Sequence, residues 1–395
     1  MNKQIRISGV GCCLVDRLYS NISFSAENFA SYSSKKRGDG GLSPGHLVLK
    51  EEFEKYTNKD FQVVLNELTQ GRDPDEINIG GPCIVALIQA AQITVGLNCE
   101  IKFFGSYGAD DNGKFLQTSL RKFPIDISHY IPIGNLTPST DVFSDPDYDD
   151  GHGERVFVNS IGSSLHYLPE NLSSDFFGSD IVVFGGTALV PPIHQHLTEL
   201  LKKSQQKGCI TVVNTVFDFI NEKANPHKRW PLGESDESYR YIDLLIVDKD
   251  EALRLSGEKS LEGAMQFFMN QRSGAVIITN GAKNVLICAK NELFGKVGLK
   301  ELPISNSISN IIKKRSHKGD TTGCGDNFAG GVIGSLAFQL HEGRKKLDLR
   351  EAAALGVVSG GYACLYIGGT YFEKSPGEKY RRIMPFLKDY KEQIQ

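Results

Sequence analysis

The sequence predicts an α/β fold with a mainly parallel central sheet, and three observations carry that expectation. From residue 181 onward, buried strand-like runs at 181–184, 209–213, 241–247 and 275–279 alternate with helical stretches such as 194–203. The runs end in Gly185-Gly186, Asn214 and Asp248, residue types that stop a strand and turn the chain. Last, the polar run from His317 to Asn327 leads directly into Phe328, Val332, Leu336 and Leu340, whose four-residue spacing marks one helix face.

Composition narrows the class. A chain of 395 residues that is 40% hydrophobic and 23% charged builds a sizeable core without staples. The net charge of −3, with only the isolated triplets Lys35-Lys36-Arg37 and Lys313-Lys314-Arg315, argues against a nucleic-acid partner. The eight cysteines are scattered with no Cys-x-x-Cys pair, the pattern of reduced thiols and not of a disulfide framework or zinc site. Neither a leader pattern nor a membrane-length apolar stretch is present, so the expectation is a cytoplasmic protein without a membrane partner.

The chemistry concentrates at Asp320-Thr321-Thr322-Gly323-Cys324-Gly325-Asp326. Small residues let the backbone approach a ligand, and the first amides of the following helix have no internal partner, which makes an anion site. Asp326 at its mouth is open to two readings: a helix N-cap, or a base that takes a proton from a hydroxyl while the amides hold a phosphoryl group. This stretch resembles the signature Asp-Thr-x-Gly-Ala-Gly-Asp of the ribokinase-like, or PfkB, family of sugar and nucleoside kinases, with Cys324 replacing the alanine. The resemblance implies Asp326 as catalytic base and Gly323, Cys324 and Gly325 as the anion hole. A thiol there implies sensitivity to oxidation.

In chain order, residues 5–15 read as a buried strand ending in Asp16. Gly9-x-Gly11 is not a dinucleotide-binding fingerprint, because Leu14 stands where its third glycine belongs. Asp16 is a turn former or, by resemblance, the family's binder of substrate hydroxyls. Residues 21–78 exceed the family's usual length. They hold a turn cluster whose Asp39, Gly40 and Gly41 either line the substrate pocket or form a surface turn, and an amphipathic piece with Phe61, Val64, Leu65 and Leu68 on one face. Gly80 and Gly81 resemble the family's glycine pair that faces the sugar; Val85 replaces the usual asparagine, a lost contact for which the Gly38–Gly41 loop is a candidate substitute.

Residues 103–113 read as a strand, a tight turn and a capped helix, without chemistry. Alternation over residues 140–161 around a glycine- and aspartate-rich centre predicts a hairpin, on which Arg155 reaches an anionic substrate or forms a surface ion pair. His194 and His196 diverge on a helix and read as surface residues. Asp248 and Glu251 occupy an acid-rich strand end that caps a helix or, as the family's Asn-x-x-Glu implies, holds magnesium through water. Thr279 and Gly281 resemble the nucleotide-contacting turn, and Asp320 and Thr322 border the nucleotide and, in many relatives, a monovalent cation such as potassium. A small-residue helix at 352–366 closes over the adenine by the same resemblance.

Together these imply one three-layer α/β/α domain over residues 1–395. Its β-rich lid comes from segments at about 14–50 and 133–162, with a helical insertion at about 51–76. The implied activity is ATP- and magnesium-dependent phosphorylation of a hydroxyl on a small carbohydrate, with dimerisation through the lid. The alternatives are a nucleoside kinase, which an aromatic pair in the lid would favour, and a silent sugar- or nucleotide-binding regulator.

Overall fold

The computed structural model describes residues 3–151, 153–314 and 321–395. Fourteen strands form two sheets among the described residues. The larger contains β1 (Ile5–Val10), β5 (Cys99–Tyr107), β6 (Asp126–Pro132), β9 (Ile181–Gly185), β10 (Ile210–Asn214), β11 (Leu244–Asp248), β12 (Ala275–Thr279), β13 (Asn284–Ala289) and β14 (Val297–Pro303). Its order is β14-β13-β12-β11-β10-β9-β1-β5-β6. All neighbours run parallel except at β12/β13 and β13/β14.

Residue alternation explains the layers. Val183, Ile246 and Ile277 enter one apolar core, while their neighbours Val182, Phe184, Leu245, Val247, Val276 and Ile278 enter another on the opposite face. Because both faces are covered, these strands read as continuous apolar runs. The first core is closed by the helices Pro82–Ile93, Cys324–His341, Leu349–Ala363 and Glu378–Gln393. The second is closed by Leu197–Gln206, Lys249–Ser256 and Leu261–Asn270.

The smaller sheet has the order β3-β8-β7-β2-β4, built from β2 (Leu14–Tyr19), β3 (Leu47–Leu49), β4 (Glu76–Gly80), β7 (Ser139–Asp145) and β8 (Glu154–Ser160). Between β3 and β4 lie the helices Lys50–Thr57 and Phe61–Thr69, and Phe61, Val64, Leu65 and Leu68 are all buried.

Sequence expectations change here in two stretches. Residues 5–15 are not one strand: β1 stops at Val10, and the chain re-forms as β2 in the other sheet. Asp16 therefore lies within a strand, opposite Asn78 and Thr140, and not at a strand end. The crossing depends on Gly11, where an added Cβ would meet the Cys83 Cβ at 2.5 Å. We expect Gly11→Ala to cost about 2–3 kcal/mol through overpacking, read as a lower urea midpoint at unchanged slope. The helix at 194–203 is also interrupted at His196. His194 is no surface residue: its side chain is 13% exposed, its Nδ1 lies 2.8 Å from Thr187 Oγ1, and its Nε2 accepts from the Gly233 amide.

Candidate active site

The parallel strands β9, β10, β11 and β12 are consecutive neighbours, so their carboxyl ends set Gly185, Asn214, Asp248 and Thr279 along one edge of the sheet. An open α/β sheet presents its ligand crevice outside such an edge. The Cys324–His341 helix begins four residues before the apolar periodicity starts. Its N-cap is Gly323 at φ 71, without a side-chain cap, so Asp326 is in the first helical turn and is not the cap.

Asn327 N donates to Gly323 O at 2.8 Å, so the amides of Gly325 and Asp326 lie ahead of that bond in the turn. A Cβ on Gly323 would meet the Gly369 Cα at 2.5 Å, whereas one on Gly325 would meet nothing within 4 Å. Packing demands the first glycine; at the second, the surroundings leave open space for a ligand.

Asp326 is half-buried, and loss of hydration pushes its carboxyl up to about 6, with the positive charge of Arg155 opposing part of the rise. The charge of Asp326 is in turn felt at Glu251, Cys12 and Cys83, and that of Asp16 at Cys12 and Cys13. Residues from β2, β8, the start of the Pro82–Ile93 helix and two further helix starts thus converge electrostatically.

Arg155 is not a simple surface ion pair. Its side chain is 18% exposed and 3.8 Å from Glu154, its guanidinium lies over the Phe157 ring at 5.6 Å, and its Nε is buried without a hydrogen-bond partner. Such an orphaned donor is costly unless a ligand completes it.

Asp248 and Glu251 realise the capping reading and leave room for the other. Asp248 accepts from Glu251 N at 2.8 Å, and Glu251 Oε2 accepts from Asp248 N at 3.3 Å and from Thr215 Oγ1 at 2.5 Å. Burial, then the neighbouring Asp248 charge, pushes Glu251 well above the carboxylate range. Asp248 is reached by solvent, yet its position in the crevice costs it hydration and raises it to about 6. Thr279 is directly in register with Asp248, and Gly281 at φ 54 turns the chain back into β13. Thr322 is buried at 5% exposure, and Asp320 lies outside the described residues.

In the smaller sheet, Asp16 is 6% exposed and Gly80 lies against it so closely that any Cβ at Gly80 would overlap the Asp16 carboxylate. Gly81, at φ 113, caps the Pro82–Ile93 helix. Val85 is buried and packs toward Gly369, with a Cβ built there 3.5 Å from the Val85 methyl. The loop at 38–41 does not replace the missing asparagine through Asp39. That carboxylate accepts from its own loop, at Lys35 N (2.8 Å), Lys36 N (3.0 Å) and Gly41 N (3.0 Å). Partial burial raises its proton affinity, but the amides of Gly41, Lys36 and Lys35 outweigh this and hold it low. Gly40 and Gly41 are packing glycines, Gly41 meeting Ser34 and Gly40 the Glu52 carbonyl. The loop is instead anchored by Arg37 on Glu222, which also accepts from Trp230 Nε1 at 2.9 Å.

The sequence reading missed a buried support behind the helix start. Lys379, 1% exposed, donates to Asn327 Oδ1 at 2.8 Å and to Tyr366 OH at 3.1 Å. Asn327 Nδ2 donates to Gly323 O (2.8 Å) and Gly369 O (2.7 Å). Burial lowers the Lys379 ammonium to about 7. No local signal marks Lys379, because it lies 52 residues from Asn327 on an amphipathic helix where lysines are ordinary. No cluster of three or more metal-ligating side chains occurs, and no helix is long and apolar enough to cross a membrane, among the described residues.

Residues 80–375 match the model of the pfkB family of carbohydrate kinases. Among solved structures, the chain is similar to an adenosine kinase from Sinorhizobium meliloti at 19% identity and TM-score 0.69, covering 96% of this chain and 99% of that one. A probable sugar kinase from Rhizobium etli gives 17% and 0.69, covering 98% and 100%. Ribokinase from Thermotoga maritima gives 19% and 0.60, covering 97% and 99%. The fold is the ribokinase-like one.

Proposed function

Because the chain belongs to the pfkB family of carbohydrate kinases, we propose that it transfers the γ-phosphoryl of ATP to a hydroxyl of a small carbohydrate. The observation that supports this most directly is Asp326 in the first turn of a helix, poised at about 6 and within electrostatic reach of Arg155. Asp326 removes the proton from the attacking hydroxyl, and the amides at Gly323 and Gly325 receive the phosphoryl oxygens, that of Cys324 already donating to Thr321 O at 3.3 Å. Arg155 completes its buried Nε on the negative charge of the group in transit. Asp16, against which Gly80 packs without a side chain, orients the acceptor hydroxyls with Gly81 beside it, and Thr279 and Gly281 border the nucleotide.

Two carboxylates held above their ordinary range, Asp248 by burial and the Asp250 charge and Glu251 by burial and the Asp248 charge, suit a divalent cation, which would relieve both. Asp248 and Glu251 would hold magnesium through water, since one oxygen of each already serves the helix cap. Bound there, the ion neutralises phosphate charge.

One observation favours a nucleoside acceptor as the second reading. His46, just before β3, stacks on half-buried Phe217 at 4.6 Å, and that pair could part to admit a base. Both readings are separated by ATP consumption with magnesium across pentoses, hexoses, sugar acids, sugar phosphates and nucleosides. Turnover of a carbohydrate supports the first, and turnover confined to nucleosides replaces it with the second. ATP binding without turnover of any acceptor would leave a silent regulator and refute both.

A further inference from the structure

Cys324, in the proposed phosphoryl site, meets Cys364, which lies behind that site and takes no part in it. Their sulfurs are 3.3 Å apart although 40 residues separate them, Cys324 opening the Cys324–His341 helix and Cys364 capping the end of the Leu349–Ala363 helix. Both are half-buried, so a small solute reaches them. Cys324 is the first residue of a helix, and the Lys379 side chain is close enough to interact with it electrostatically. The other six cysteines differ. Burial raises the thiols of Cys12, Cys13, Cys83, Cys99, Cys209 and Cys288 above the usual range, the condition in which a thiol is inert.

We propose that Cys324 and Cys364 form a peroxide-reactive modification site, in which Cys324 is oxidised, Cys364 resolves it, and the resulting disulfide reversibly distorts the anion hole. The Cys324 thiolate attacks one oxygen of a hydroperoxide, breaking the O–O bond to give a sulfenic acid and, with hydrogen peroxide, one water after protonation. The Cys364 sulfur attacks the sulfenic sulfur, the S–O bond breaks, and a second water leaves. Overall two thiols lose two electrons and two protons to the peroxide, giving one disulfide and two waters.

Bonding shortens the separation from 3.3 Å to about 2.05 Å and draws the first turn of one helix toward the cap of the other. Cys324 stands between Gly323, already in tight contact with Gly369, and Gly325, so the displacement falls on the amides that receive the phosphoryl group. A shift on the order of 1 Å at such a site costs roughly a hundredfold in rate. This consequence rests on the kinase reading; the modification chemistry does not.

The test treats the reduced full-length protein with hydrogen peroxide, alkylates it, and maps its peptides without reduction. A Cys324–Cys364 linked peptide is expected, with turnover reduced roughly 10–100-fold and restored by dithiothreitol. In Cys364→Ser, and in Cys364→Ala as a second variant against a folding defect, untreated turnover is expected to match the parent. Peroxide then carries Cys324 to sulfinic acid, and dithiothreitol does not restore activity. Both thiols still alkylated after peroxide, or full recovery of either variant, would overturn the proposal. A linked peptide in a protein that phosphorylates no member of the substrate panel would uphold the modification site and sink the kinase reading.

Discussion

Asp326→Asn is expected to lose a hundredfold or more in turnover while retaining the fold and becoming more stable at neutral pH. The rate loss follows from removing the proton acceptor without changing side-chain volume. The stability gain follows from linkage: the folded carboxyl, at about 6, holds its proton more tightly than an aspartate of the unfolded chain, whose ordinary value is 3.8. Between those two values the native state binds more protons, so stability falls as pH rises through that window, and the whole penalty is present at pH 7. Asparagine does not ionise and avoids it. The shift corresponds to on the order of 1–2 kcal/mol once discounted for the solvent that reaches this half-buried group. Calorimetric melts of parent and variant at pH 7 and below pH 4 check the sign: the variant's advantage should be present at the first and absent at the second. A variant that turned over as fast as its parent would remove Asp326 from the mechanism.

Much of this architecture was legible because it rests on local pattern. Apolar runs closed by Gly185, Asn214, Asp248 and Thr279 mark strands buried on both faces, and the small residues around Cys324 mark a helix start. Local pattern fails where the backbone changes partners without changing composition. Residues 5–15 are mostly apolar, yet Gly11 lets the chain leave one sheet for the other, and only the close approach of Cys83 and the Gly185 carbonyl shows why. Asp39 illustrates the reverse failure: a Gly-Asp-Gly-Gly run has the composition of a ligand loop, but three amides of its own loop occupy the carboxylate. Lys379 and the Cys324–Cys364 pair depend on the Glu378–Gln393 helix and the 364–369 segment folding back beneath the anion hole, contacts with sequence separations of 52 and 40 that no window of residues reveals.

Arg155 is where β8 and the Cys324–His341 helix act on one another, and Arg155→Met tests that coupling. Methionine keeps much of the apolar stem over Phe157 and removes the charge and the orphaned Nε. If Arg155 neutralises the phosphoryl group in transit, turnover should fall by roughly 10²–10³, the range for losing one preorganised electrostatic contact. The pH profile separates this from a folding defect. In the parent, the rate is expected to rise with pH as Asp326, held at about 6, loses its proton and then to level, because on the proposed mechanism only the deprotonated carboxylate accepts the proton. Arg155 holds that value down, since its positive charge favours the carboxylate. Without it the acid limb should move to higher pH, so the variant's deficit would be greatest below pH 6 and smaller on the plateau. A deficit uniform across pH would mean that Arg155 acts on substrate alone, and a profile and rate equal to the parent's would place it outside the site.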